Sequence, residues 1–111
     1  MSSRRRPLSV TADAIVLALE GELCIAELPA LRASIDALVD GGTTRIVLDL
    51  GGVTLLTAAA LRVFDTTQHR LEALGGSLAL RDASPFFCRI IEIGGLDALL
   101  EENSAEAGPA S

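Results

Sequence analysis

The chain has 111 residues, half of them apolar and 22% charged, with a formal net charge of −6; that length predicts one domain, and that balance a cored globular one. Three phenylalanines and no tryptophan or tyrosine leave an aliphatic core, and so few aromatic faces in an acidic chain argue against nucleic-acid binding. No run approaches the ~18 apolar residues of a membrane span and no apolar leader follows the N-terminal arginines, so a cytoplasmic protein is expected.

Residues 1–7 read as a flexible basic arm. Their run Arg4-Arg5-Arg6 is the one basic cluster, expected to act as a solubilising arm, with phosphate or acidic-lipid contact as the alternative. Leu8 to Thr11 and Ala14 to Leu19 alternate or run apolar around Ala12-Asp13. They predict a hairpin whose second strand ends at Gly21. Leu28, Leu31, Ile35 and Leu38 recur at helical spacing, and Asp40-Gly41-Gly42 stops that helix. "RIVLDL", Arg45 to Leu50, is a β-branched apolar run bounded by glycine and reads as a buried central strand. Leu61, Phe64, Leu71 and Leu74 mark a second helix closed by Gly75-Gly76, and Ser77 to Leu80 is a short strand. Ser84 is placed to cap a third helix with Pro85 in its first turn and Phe86, Ile90 and Ile93 along it. Gly94-Gly95 breaks that helix, Leu96 to Glu101 makes one more short turn, and residues 102–111 read as a disordered tail.

The order predicts a single α/β domain over residues 8–101: a four-stranded mixed sheet with three to four helices packed against it. That is too few helices to cover both faces of the sheet. No internal repeat is present.

Little in the chain carries chemistry. His69, the only histidine, falls mid-helix in "TTQHR" and reads as a solvated position rather than a member of a catalytic triad. The glycine pairs at 41–42, 51–52, 75–76 and 94–95 follow neither dinucleotide nor P-loop spacing and are explained as helix ends and turns. Cys24 and Cys88 form no metal spacing and read as inert thiols. No enzyme, metal site or cofactor is expected.

"ALEGEL…LPALRASIDALVDGGTTRIVLDLGGVTLLTAAALRVF…GGSLALRDASPFFCRIIEIGGLDALL" nevertheless resembles, in the order and spacing of its pieces, a STAS domain of the anti-sigma factor antagonist type. The resemblance runs from about Val10 to Leu100. In that family the turn after the "DLSGV"-type strand usually reads Asp-Ser-Ser-Gly-Leu, and its first serine takes a phosphate from a GHKL-type kinase that is also the anti-sigma factor. Here Thr57, Ala58, Ala59, Ala60 and Leu61 fill those positions. Ala58 has no hydroxyl to phosphorylate, and Cys24 replaces the aspartate that commonly follows "GEL".

The resemblance implies a module that binds an anti-sigma factor through Cys24 and Thr57 to Ala60, without serine phospho-control. Thr57 still caps the second helix and is the only alternative acceptor. A second reading is a STAS scaffold subunit of a sensory complex or of a lipid-transport ABC system. A third, a nucleotide- or ligand-binding STAS domain, lacks a glycine-rich phosphate loop. A homodimer is compatible with all three.

Overall fold

A computed structural model of the chain describes residues 7–11 and 14–101. The expected basic run Arg4-Arg5-Arg6, the turn at Ala12-Asp13 and the tail 102–111 lie outside the described residues. Strands β1 (Pro7–Thr11), β2 (Ala14–Leu23), β3 (Arg45–Leu56) and β4 (Ser77–Arg81) lie side by side in chain order. Helices α1 (Leu28–Asp40), α2 (Ala58–Ala73) and α3 (Pro85–Ile93) follow β2, β3 and β4 in turn.

The body of the sheet is three parallel strands, with Leu17, Leu48 and Leu80 in one cross-strand row and Ile46 opposite Leu78. The mixed character expected of the sheet is confined to β1, which pairs antiparallel with β2. The short turn expected over Leu96 to Glu101 is a single 3-10 turn at Asp97–Leu99, after which Glu101 donates its N–H to Leu80 O and extends the edge beyond β4.

Parallel neighbours need crossover connections, which α1 and α2 supply. Because strand order never reverses, right-handed crossovers put both helices on the same face. One aliphatic core results, joining Leu17, Leu48 and Leu80 of the sheet to Leu31 of α1, Phe64 of α2 and Ile91 of α3. The other face carries the partly exposed Ala18, Asp49, Ala79 and Arg81, while Val16 and Val47 on it are buried. Doubly wound folds place their ligand crevice where strand order reverses, and this order offers no such crevice.

Two strands outrun their expected ends. β2 continues past Gly21 to Leu23, and β3 past Leu50 to Leu56, the two remaining paired through register shifts at Ala18/Glu20 and Gly21/Glu22. Gly21 takes φ 79°, in the left-handed region where glycine is at no disadvantage. Gly51 donates its N–H to Asp49 Oδ1 at 2.8 Å. The glycines that read as strand ends are irregularities within one longer ladder. The extra length matters for the site, because it ends on the pair Leu23–Leu56.

Candidate functional site

Since Leu23 pairs with Leu56, the next residues of the two strands, Cys24 and Thr57, leave the sheet side by side. A side-chain bond fixes their relation: Thr57 Oγ1 donates to Leu23 O at 2.7 Å. The same oxygen accepts from Ala60 N at 3.3 Å, and Thr57 O accepts from Leu61 N at 3.1 Å, which starts α2. Thr57, with φ −114° and ψ 164°, has the extended backbone of an N-cap. The expected cap is therefore present, and its hydroxyl also ties α2 to the end of β2.

Thr57→Val should break both bonds at little change in shape. The Leu23 carbonyl and the Ala60 N–H lose their partner in a half-buried setting, at a cost of about 1–2 kcal/mol. Thr57→Ser should stay near the parent. Urea denaturation of the three proteins reads the difference; a Val variant as stable as the Ser variant would show that the hydroxyl contributes nothing.

The three alanines have different fates. Ala58 is exposed at the first helical position and Ala59 is half-buried. Ala60 is fully buried at 0% exposure and belongs to the core. Of the expected docking residues Ala60 is thus behind the surface, because the 100° step per residue turns it inward. Cys24 is half-buried and precedes a 3-10 turn, Ile25–Glu27, whose Glu27 N–H donates to Cys24 O at 2.8 Å. That turn holds Ile25 out at 73% exposure, a large apolar side chain beside Cys24 that sequence reasoning missed. Its only sequence signal is that it falls outside the apolar phase of α1.

Two open grooves flank the start of α2. One, of about 460 Å³, runs between α1 and α2 and is lined by Ile25, Leu28, Pro29, Arg32, Ala59 and Arg62. The other, of about 280 Å³, lies between α2 and the end of α3, with Ala58, Leu61, Asp65 and Leu96 in its lining. Neither contains a paired nucleophile and base. Among the described residues no group of three or more His, Cys, Asp and Glu side chains could hold a metal ion, and no helix is long and apolar enough to cross a membrane.

The remaining candidates lie apart from this face or within the core. His69 is exposed on α2, its Nδ1 3.0 Å from Asp65 O. Cys88 is buried in α3, its thiol directed to Ala83 O at 3.6 Å. Burial first, and the nearby Glu92 carboxylate second, push the Cys88 thiol above its ordinary value of 9.0. Both cysteines are free. A thiol reagent on the native protein should therefore modify Cys24 rapidly and Cys88 only on unfolding. Peptide mapping after partial labelling checks this; modification of Cys88 first would contradict it. The sign of the pH effect follows from the raised value. The folded state holds the Cys88 proton more tightly than the unfolded one, so this contribution is full below about pH 9 and lost as pH rises above it.

Comparison with known proteins places this geometry. Residues 8–101 match the family described as MlaB, STAS domain. A Bordetella bronchiseptica protein named as an anti-sigma factor antagonist, BtrV, is 33% identical over 98 residues, covering 87% of this chain and 84% of that protein. The anti-sigma F factor antagonist of Lysinibacillus sphaericus is 28% identical over 98 residues, with coverage of 87% and 84%. Among solved structures, the Bacillus cell fate determinant SpoIIAA in its phosphorylated form superimposes with a TM-score of 0.69 at 23% identity, covering 86% of this chain and 87% of that one. At that identity the likeness speaks for the fold alone.

Proposed function

The chain belongs to the STAS domain family, and on that premise we propose that it is an anti-sigma factor antagonist-like module that acts by binding a partner protein, not by catalysis. The observation that carries this reading is the face built by Cys24, Thr57, Ala58 and Ala59 at the start of α2, in a chain whose relatives are named anti-sigma factor antagonists. The partner is an anti-sigma factor of the GHKL serine-kinase type, bound in the cytoplasm, and the outcome is control of sigma-factor-dependent transcription.

Phosphorylation is not part of this proposal. A phosphate at a helix N-terminus would meet outward N–H groups and the positive end of the dipole, and the dianion would then reshape the docking face. Ala58, at the position that the family resemblance gives to the acceptor, has no hydroxyl. The neighbouring Thr57 hydroxyl already serves Leu23 O and Ala60 N. Incubation with a cognate anti-sigma kinase and ATP should leave the intact mass unchanged while a stable complex forms. A stoichiometric phosphate mapped to Thr57 would show a displaced switch, and absence of any complex would sink the antagonist reading.

The missing hydroxyl favours one second reading, in which the domain is a constitutive scaffold subunit of a sensory complex or of a lipid-transport ABC system, where no phosphate switch is needed. Copurification with permease and ATPase subunits, in place of a kinase, distinguishes it.

A further inference from the structure

The chain carries a net charge of −6, yet two of its arginines face one groove. Arg32 of α1 and Arg62 of α2 line the same groove, with Ile25, Leu28, Pro29 and Ala59 as its apolar surface and no carboxylate in its lining. Neither guanidinium has an ion-pair partner among the described residues. Farther along the same helix pair, Arg32 also borders a smaller cavity of about 80 Å³ that it shares with Thr67 and Arg70. The one acidic side chain there, Asp36, is paired to Arg70. Thr67 is 5% exposed and its hydroxyl has no hydrogen-bond partner among the described residues. The α1–α2 groove therefore joins an apolar floor to two guanidiniums that have no ion-pair partner among the described residues.

We propose that this α1–α2 groove is the recognition cleft for an acidic amphipathic segment of the partner protein, its apolar side chains seated on Ile25, Leu28 and Ala59 and its carboxylates on Arg32 and Arg62. The proposal rests on the reading that the face at the start of α2 docks a protein, and adds the chemistry of what arrives there. Charge complementarity commits it to an acidic occupant. Two unpaired guanidiniums in a groove whose lining holds no carboxylate would repel a basic segment at short range, while each can take a carboxylate through two parallel N–H donors. Acidic proteins in general meet long-range repulsion from the −6 chain, so only a segment that places carboxylates at these two points and an apolar anchor between them gains on approach. The apolar contact supplies affinity and the arginines supply selection.

The test uses the full chain and two labelled helical peptides of equal length. One carries a leucine stripe flanked by glutamates, the other the same stripe flanked by lysines. In fluorescence anisotropy the glutamate peptide should bind, weakening steadily as salt is raised, and the lysine peptide should bind at least about tenfold more weakly. Arg32→Glu/Arg62→Glu should reverse that order while keeping the parental melting temperature. If that double variant does not fold, Arg32→Gln and Arg62→Gln singly should each flatten the salt dependence. Equal binding of the two peptides, binding of neither, or an unchanged preference in the variants would overturn the inference. So would arginine-dependent binding to phosphatidylglycerol vesicles without peptide binding, which would assign the groove to a lipid surface. A dimer that the double variant disperses, again without peptide binding, would assign it to a second copy. The docking reading stands or falls separately, on whether Ala58→Glu weakens the complex with the anti-sigma factor itself.

Discussion

Gly76→Ala should destabilise this fold by about 3 kcal/mol or more, the upper end of what one methyl group does in an overpacked site. Gly76 lies where the chain turns from α2 into β4. A Cβ built on it would stand 1.7 Å from Thr44 O and 2.5 Å from the carbon of that carbonyl. Thr44 O cannot step aside freely, because it accepts the Ser77 N–H at 3.0 Å and the next rung is the Arg45–Ser77 pair that opens the β3–β4 ladder. On the other side Gly76 is held by its own N–H on Leu71 O at 2.8 Å. Relieving the overlap must open the α2–β4 junction or the first rung of the sheet.

The neighbouring glycine provides the control. Gly75 has φ 83° but nothing within 4 Å of a built Cβ. Gly75→Ala should therefore cost only the left-handed penalty of about 1–2 kcal/mol. For a domain of this size the Gly76 variant should melt on the order of 10 °C or more below the parent, and the Gly75 variant by clearly less. Equal losses in chemical denaturation would mean that the junction relaxes around the new methyl group.

The contrast between these two glycines marks the limit of what the sequence discloses. "GG" after a helical pattern announces a helix end, and that is what Gly75 does. That Gly76 presses on a carbonyl thirty-odd residues earlier is a fact of the β3–β4 pairing and has no local signature. The same division holds at the site. The caps Thr57 and Ser84 were legible, because a hydroxyl before an apolar-periodic segment has one common use, and both accept the expected N–H, from Ala60 and Phe87. Gly51 and Gly52 misled in the opposite sense. Glycine in a strand pattern signals either an end or an irregularity, and the long pairing of β2 with β3 decides for the latter. Alanine carries too little contrast to show which of Ala58, Ala59 and Ala60 faces the core. Arg32 and Arg62, thirty residues apart, became a pair only through the packing of α1 on α2.

If the chain docks an anti-sigma factor as proposed, Ala58→Glu should abolish most of that affinity and leave the fold intact. Ala58 is exposed at the first position of α2, and no acidic residue stands in that first turn. A carboxylate there meets the positive end of the helix dipole, worth about 0.3–1 kcal/mol in favour of the folded state. It also stands four residues before Arg62, the spacing and order at which an acid and a base attract along a helix. The melting temperature should hold or rise by a few degrees. Binding should suffer for two separable reasons. The new charge must be desolvated against a surface that fits a methyl group, at a cost of a few kcal/mol. It also draws Arg62 away from an incoming carboxylate. Together these predict an affinity loss on the order of a hundredfold at low salt. Ala58→Gln, of similar size and no charge, separates steric from electrostatic loss and should retain more of the binding. Ala58→Ser should bind like the parent. Calorimetric titration of the four proteins with the anti-sigma factor gives the order Ala ≈ Ser > Gln > Glu. If the Glu variant, folded by its melting curve, binds as tightly as the parent, the start of α2 lies outside the interface, because a buried contact there could not ignore a full negative charge.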